Sequence, residues 1–317
     1  MPKLTKHYTI MRLHTLIARA TAVVAAIATI ACSSNEPAED NGKIPEQPNV
    51  ETRIISKIIV TDEANSWWYS FTLDYDEEGR FRSITQADDY NYIVTEMEYT
   101  DNTIELTTHN RLNHTEQKSW RLNDWGYVTF ITHSWYTEDY DDAGELKQSY
   151  EYDDNGYIKV STTNTVRTYY GKHYDDVNNI TYTWSNGNIV GSRYTTISNG
   201  VTTDNEWNTT YAYNDKPMNV VNLDINAIVE CSNYDIQIWN SPRYGLDVSN
   251  GLFGKTNNNF ITKTTSEAVY GFRYDVEYEW TYDEEGYPTS CKVEYSSEDT
   301  SGERNNETYL YKFEYLD

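Results

Sequence analysis

Phe272-Arg-Tyr-Asp-Val-Glu-Tyr-Glu-Trp-Thr-Tyr282, followed at once by Asp283-Glu-Glu-Gly-Tyr287, decides the fold. Every even position from 272 to 282 is apolar or aromatic, and every odd one is polar or charged. Successive side chains of a strand point to opposite faces, so this alternation describes an antiparallel strand with one dry and one wet face. Asp283-Glu-Glu-Gly is hairpin chemistry: glycine takes a positive φ cheaply, and aspartate bonds its own backbone two residues on. The even positions, Tyr278 among them, are therefore expected to face the core, and Glu277 to face water.

The unit recurs. Turns of the same kind are Tyr75-Asp-Glu-Glu-Gly-Arg80, Asn123-Asp-Trp-Gly-Tyr127, Tyr152-Asp-Asp-Asn-Gly-Tyr157 and Ser185-Asn-Gly-Asn188. Tyr99-Thr-Asp-Asn-Thr-Ile104 lacks the glycine, and Tyr213-Asn-Asp-Lys-Pro217 is a degenerate copy. Most lie roughly 23–31 residues apart, room for two strands and one opposite-end connection per repeat. Alternating strands such as Phe71-Thr-Leu-Asp-Tyr75 and Tyr309-Leu-Tyr-Lys-Phe-Glu-Tyr315 enter or leave these turns. The fold class is all-β: a large antiparallel meander of hairpin repeats, about 14–17 strands, forming a soluble barrel or a strongly curled sheet. Tyrosine suits such a wall because it joins a wide apolar ring to a hydroxyl.

Outside the repeat, residues 1–31 have the plan of a signal peptide. Basic Lys3, Lys6, Arg12 and Arg19 precede the apolar run Thr21–Ala31, which is too short to span a bilayer. Thr29-Ile-Ala-Cys32 has the form of a bacterial lipobox, making Cys32 the expected lipid attachment site; simple cleavage after Ala31 is the alternative. Residues 32–52 read as the lipidated cysteine and a flexible linker, holding three of the seven prolines, several acids and almost no large apolar side chain. Residues 53–317 then form a single β-hairpin-repeat domain with an irregular insert at 225–260.

The whole layout, from Cys32 through the hairpins to Gly251-Leu-Phe-Gly-Lys-Thr-Asn-Asn-Asn259, resembles a family of uncharacterised lipoproteins of Gram-negative gut bacteria. The Tyr-Asp-x-x-Gly turns are also similar to the tyrosine–aspartate repeats of Rhs and teneurin-type shells. The lipoprotein resemblance covers about residues 53–317 and implies a porin-like β fold; no activity is established for that family, so no functional residue carries over, and the expected location is the outer membrane through the Cys32 anchor. A membrane-spanning porin is a separate matter. Its outer face must be continuously apolar, whereas Asp275, Glu277 and Glu279 occupy mid-strand positions here.

Charge narrows the partners. Removing the four basic residues of 1–31 leaves 21 basic against 50 acidic residues, a formal −29. Such a surface repels nucleic acid and anionic lipid, leaving membrane association to the lipid anchor, with glycans or envelope proteins as partners.

Motifs that carry chemistry are weak. Gly254-Lys-Thr256 lacks the glycine a P-loop needs at 249, where Ser stands, and no helical pattern follows. His109, His114, His133 and His173 have no zinc-ligand spacing, so no metal or other cofactor is expected. Cys291 alternates with Val293 and Tyr295 on the core face and reads as a small buried hydrophobe. Cys231 and Cys291 could be bridged or free. A glycosidase needs two carboxyls at set separation, a pair the sequence cannot select from 50 acids.

The rhythm stops at 225–260. Ile225-Asn-Ala-Ile-Val-Glu230 is compatible with a turn or two of helix, and long irregular loops in compact domains often carry function. Trp239, Tyr244 and Lys255 are the candidate ligand-binding residues of this loop; the alternative is a hydrophobic cap that only seals the core. The functional expectation is a non-catalytic cell-envelope binding module, with a carbohydrate-active enzyme or a purely structural lipoprotein as alternatives.

Overall fold

The computed structural model describes residues 53–64, 68–88, 92–111, 115–137, 142–203, 206–220, 223–230, 252–269, 271–298, 300 and 302–316. Its strands, in chain order, are β1 (Ile55–Asp62), β2 (Trp68–Tyr75), β3 (Phe81–Asp88), β4 (Tyr92–Tyr99), β5 (Thr103–Asn110), β6 (Thr115–Leu122), β7 (Val128–Thr137) and β8 (Asp142–Tyr152). The second half holds β9 (Ile158–Tyr169), β10 (Lys172–Ser185), β11 (Asn188–Ser198), β12 (Val201–Thr202) and β13 (Trp207–Pro217), then the helix α1 (Ile225–Glu230), and β14 (Asn259–Ala268), β15 (Arg273–Tyr282), β16 (Pro288–Glu298) and β17 (Arg304–Tyr315).

Apart from β12, each strand pairs antiparallel with the next in sequence, β11 pairing with β13, and β1 pairs with β17 as well as with β2. Ile58 lies across from Phe313 on one side and Phe71 on the other, so no edge is left open there. Two-residue β12 pairs only with β11, and the other sixteen strands close the ring. Of the two expected forms, barrel and curled sheet, the barrel is realised.

The repeated turns all lie at one end, the turn end. At 153–157, Asp153 N–H donates to Tyr157 O (2.9 Å) and Gly156 N–H donates to Asp153 O (3.0 Å). The Asp153 carboxylate accepts from Asn155 N–H and Tyr157 N–H, both at 2.9 Å. Gly156 has φ +84°, which a side chain would resist. Asp76, Asn123 and Asp283 repeat the arrangement, and in each case the register shifts just before the turn residue.

That shift creates a second repeated device. The aromatic closing a descending strand donates to the backbone carbonyl at the start of the preceding strand. Tyr75 Oη bonds Ile55 O (2.6 Å), Tyr152 Oη bonds Val128 O (2.6 Å) and Tyr315 Oη bonds Pro288 O (2.7 Å). Trp184 Nε1 to Ile158 O (2.7 Å) and Trp280 Nε1 to Ile261 O (2.6 Å) do the same with an indole. A carbonyl displaced from the ladder thereby keeps a partner.

Inside the turn-end half the wall is apolar: Ile58, Leu73, Phe81, Ile104, Trp120, Val128, Ile158 and Phe313 are buried. A sixteen-strand ring is too wide for wall side chains alone to fill, and the segments between β13 and β14 supply the rest. Val220, Leu223, Ile225, Ile228 and Val229 belong to the same core cluster as the wall residues, and Phe253 packs between Trp120 and Tyr150 at 5.6 and 5.0 Å. Asp224 caps α1 by accepting from Asn226 N–H (3.1 Å), while Asn226 ties the helix to Asn259 O and Ile261 N–H. Backbone bonds from Val128 to Leu252, Lys255 to Gly156 and Asn258 to Gly187 pin this plug to the turns.

The outer face is polar. Glu277, Lys292 and Glu294 stand mid-strand on adjoining strands, with Glu277 64 % exposed. Lipid would not accept that band, since a single lysine at the bilayer midplane costs about 2–4 kcal/mol. The even positions of β15 face inward as expected, Val276 and Tyr278 being buried and Glu277 exposed.

Candidate functional site

In the half of the barrel away from the turns, the loop end, the inward face changes character. From β4 to β14 it carries a band of buried polar side chains: Thr95, Thr108, Lys118, His133, Gln148, Thr163, Thr196, Thr209 and Ser266. Strand alternation places them in the same phase as the core residues, so Lys118 shares its face with Trp120 and Gln148 shares its face with Tyr150.

Register joins them into a continuous lining. Thr95 pairs with Thr108; Gln148 pairs with Thr163, Thr163 with Asn178, and Asn178 with Thr196. Lys118 pairs with Leu106 of β5, and His133 pairs with Leu146 of β8. Hydrogen bonds order the band: Tyr194 Oη and Thr196 Oγ1 both donate to Asn178 Oδ1 (2.8 and 2.9 Å), and Tyr150 Oη donates to Gln148 Oε1 (3.2 Å). Thr209 and Ser266 hydroxyls lie 2.8 Å apart, and Ser198 Oγ bonds the Asp176 carboxylate.

Aromatic rings stand beside this band. Trp207 lies across from Tyr194 and stacks on Tyr274 at 4.9 Å and 11°. Phe272 and Tyr295 flank Tyr274 at 4.9 and 5.5 Å. Tyr194, Tyr274, Tyr295 and Asn178 are half-buried, so the loop-end interior offers ring faces next to amide and hydroxyl groups. Faces of that kind hold a polar ligand by stacking and by hydrogen bonds of fixed direction.

Of the residues singled out from sequence, Lys255 lies outside this band. Lys255 is exposed at the turn end, its Nζ 5.2 Å from the centre of the Tyr157 ring. Trp239, Tyr244, Cys231 and the Cys32 attachment site lie outside the described residues. Gly254-Lys-Thr256 forms no phosphate loop; Gly254 has φ +92° and Asn257–Asn259 run directly into β14. Cys291 is a fully buried free thiol whose pKa is pushed well up by burial and by the neighbouring Glu279, the reverse of an activated nucleophile. No group of three or more potential metal ligands occurs among the described residues.

Arginine contacts hold the outer Asp275 carboxyl below its usual range, first through the Arg273 hydrogen bond and with help from Thr265 and Lys263. It is a surface ion pair on the outside wall, remote in orientation from the lining. Sequence reasoning missed the lining itself, although the signal existed. Lys118, His133 and Gln148 are polar residues in phase with Trp120, Ile131 and Tyr150, where alternation calls for apolar ones.

The fold has relatives among solved structures. A porin-like protein from Bacteroides uniformis superposes with a TM-score of 0.56 at 19 % identity, over 84 % of this chain and 99 % of that one. A porin-like protein from Bacteroides vulgatus gives 0.56 at 13 % identity, over 83 % and 99 %. The chain thus has a porin-like antiparallel β-barrel fold. No protein-family model matches the sequence, and no curated protein does either.

Proposed function

We propose that this protein is a non-catalytic cell-envelope module, tethered through lipid on Cys32, that takes a polar ligand, a glycan, into the loop-end half of its barrel. The carrying observation is the partition of the interior. One half is dry and filled by the plug, which argues against a through-channel; the other is lined by Gln148, Thr163, Asn178 and Thr196 beside Tyr194, Trp207 and Tyr274. Neutral hydrogen-bonding groups next to ring faces suit a polyhydroxylated ligand.

A glycan array tests the reading. Binding by the mature protein should be lost in Asn178→Leu while far-ultraviolet circular dichroism and the melting temperature stay close to the parent. Retained binding in that variant would refute a lumenal site. A second reading places the ligand on the insert, at Trp239, Tyr244 and Lys255, and is favoured by the exposed Lys255 held over Tyr157. Under it, Trp239→Ala and Tyr244→Ala abolish binding and Asn178→Leu does not.

A further inference from the structure

Among the described residues, three hairpins close with two-residue turns, and they differ at one position. Ser185 pairs with Asn188 across Asn186-Gly187, Ser198 with Val201 across Asn199-Gly200, and Tyr169 with Lys172 across Tyr170-Gly171. Both turn residues have positive φ each time: +52° and +76°, +49° and +79°, +47° and +70°. Such turns take glycine second and asparagine, aspartate or glycine first, the residues that reach positive φ at least cost. Two of the three obey this rule; Tyr170 does not. An aromatic residue in the left-handed region is strained. Tyr170 is also 60 % exposed, so little of its ring is buried to offset that strain.

The hairpin that carries Tyr170 also extends the lining outward. β10 pairs with β11 only as far as Asp176–Ser198, where Asn199 N–H donates to Asp175 O (2.6 Å), while its ladder to β9 continues without a bulge to Lys172–Tyr169. Residues 172–174 thus run on about 10 Å beyond the β11 ladder. An unbroken ladder fixes the faces. Asn178, Tyr174 and Lys172 on β10, with Thr163, Arg167 and Tyr169 across from them on β9, share one phase, and Asn178 and Thr163 belong to the lumen lining. The lining therefore continues past the rim of the barrel on a two-stranded tongue. Its tip is already stacked: the Arg167 guanidinium lies 4.5 Å over the Tyr169 ring, and the Tyr170 ring meets Tyr169 edge-on at 4.4 Å and 66°. Tyr169 is half-buried and Lys172 exposed. Tyrosine rings held in this way offer wide amphipathic contact at low cost in conformational entropy.

We propose that the tip of the β9–β10 hairpin is a clasp for the part of an oligosaccharide that projects from the lumen, with the Tyr170 ring as its main contact and Tyr169 and Lys172 beside it. The proposal rests on the lumenal glycan reading above and adds the length of the ligand. From Asn178 to Lys172 is six residues of strand, about 20 Å. A single sugar ring spans only a fraction of that, so a ligand that touches both is an extended chain. The strain then has a use: tyrosine stands where asparagine would fold better, because its ring meets the ligand.

The test is a glycan array printed with each structure at several chain lengths, probed with the mature parent, Tyr170→Asn and Asn178→Leu, beside thermal melts of all three. In the parent, long chains should bind more tightly than short ones. Tyr170→Asn restores the turn chemistry of the other two hairpins, so its melting temperature should equal or exceed the parent's. Its affinity for long chains should fall about tenfold, and for the shortest binders by less than about twofold. If Tyr170→Asn binds every length as the parent does, or loses affinity equally at all lengths, the clasp is wrong; loss of binding in Asn178→Leu then shows that the lumenal site still stands. If long chains lose affinity in Tyr170→Asn while Asn178→Leu binds normally, the hairpin is the site and the lumenal reading falls. A Tyr170→Asn melting temperature below the parent's would make the ring structural and overturn the clasp. If no glycan on the array binds the parent, both readings fall together.

Discussion

Tyr152→Phe tests the repeated aromatic latch at the position where it meets the plug. The substitution removes one oxygen and keeps the ring, so packing against Tyr127 at 5.2 Å is retained. What is lost is the 2.6 Å bond to Val128 O. Val128 has left the regular ladder through the register shift before the turn; its N–H is taken by Leu252 O at 2.6 Å and its C=O by Tyr152. With the hydroxyl gone, a carbonyl in a half-buried site must find water or remain bare, which costs about 1–3 kcal/mol. For a domain of this size 1 kcal/mol moves the melting temperature about 2–4 °C, so a drop of roughly 2–12 °C is expected by scanning calorimetry. Tyr170→Phe, at a residue 60 % exposed, is the control and should move it by less than about 0.5 kcal/mol. Tyr75→Phe should match Tyr152→Phe, and the pair should add, since the two latches are six strands apart and share no partner. Equal melting of Tyr152→Phe and the control would show that the displaced carbonyl is hydrated without penalty, and the latch would explain nothing.

Other expectations follow from single positions. Tyr278→Asp places a charge at a residue 5 % exposed and should destabilise by at least about 1.5–3 kcal/mol, whereas Glu277→Ser should stay within about 0.5; denaturant melts in the opposite order would reverse the assigned faces. Gly254→Ala would put a Cβ 2.6 Å from Gly156 O at φ +92°, so it should loosen the plug and speed protease cleavage between β13 and β14; unchanged cleavage would contradict the pinning seen there. Burial raises the phenol pKa of Tyr99 to about 12 and pushes those of Tyr152 and Tyr315 up as well. A raised folded-state pKa gives stability that is complete below the unfolded value near 10 and is lost as pH rises towards the folded one. Stability should therefore fall from about pH 10 upward, and an absorbance titration showing these phenols ionising freely at pH 10 in the folded protein would refute it. Fatty-acid labelling should mark the protein through Cys32, and label surviving in Cys32→Ser would exclude that attachment.

Much of this architecture could be read from residue order because it is periodic. Alternation in Phe272–Tyr282 assigned the inward face residue by residue, and the Asp-x-x-Gly turns marked seven of the strand junctions or their near copies. Closure could not be read. The pairing of Ile58 with Phe313 joins the two ends of the domain, and nothing local distinguishes a ring from a curled sheet. The plug was half legible: Ile225, Ile228 and Val229 at helical spacing gave α1, but its place against Leu223, Phe253 and the wall depends on contacts far apart in sequence. The lining was hidden by its own regularity. Threonine-rich strands such as β9, which runs Ile158-Lys-Val-Ser-Thr-Thr-Asn-Thr-Val-Arg167, alternate polar with polar, so period-2 analysis finds no dry face to assign.

That lining is also where stability and function part company. The aromatic face was expected to fill the interior, and at the turn end, helped by α1 and Phe253, it does. At the loop end the wall of β4–β14 turns to Thr, Gln, Asn, Lys and His over the same inward phase. Stability alone would favour continuing the apolar wall. A buried polar side chain adds little even when bonded and subtracts when it is not, and a partly satisfied network is worse than an apolar one. On neighbouring β3, the buried Gln86 Oε1 has no hydrogen-bond partner among the described residues. The barrel therefore carries, in half of its interior, a lining less stabilising than the tyrosines and valines of β15–β17 that face it from the opposite arc of the ring. A purely structural lipoprotein has no use for that concession, whereas a receptacle for a polar ligand requires it. Replacing the neutral members, Gln148→Leu with Thr163→Val, should accordingly raise the melting temperature while removing ligand binding. A variant that loses stability instead would mean the band is structural, and the lumenal site would lose its main support.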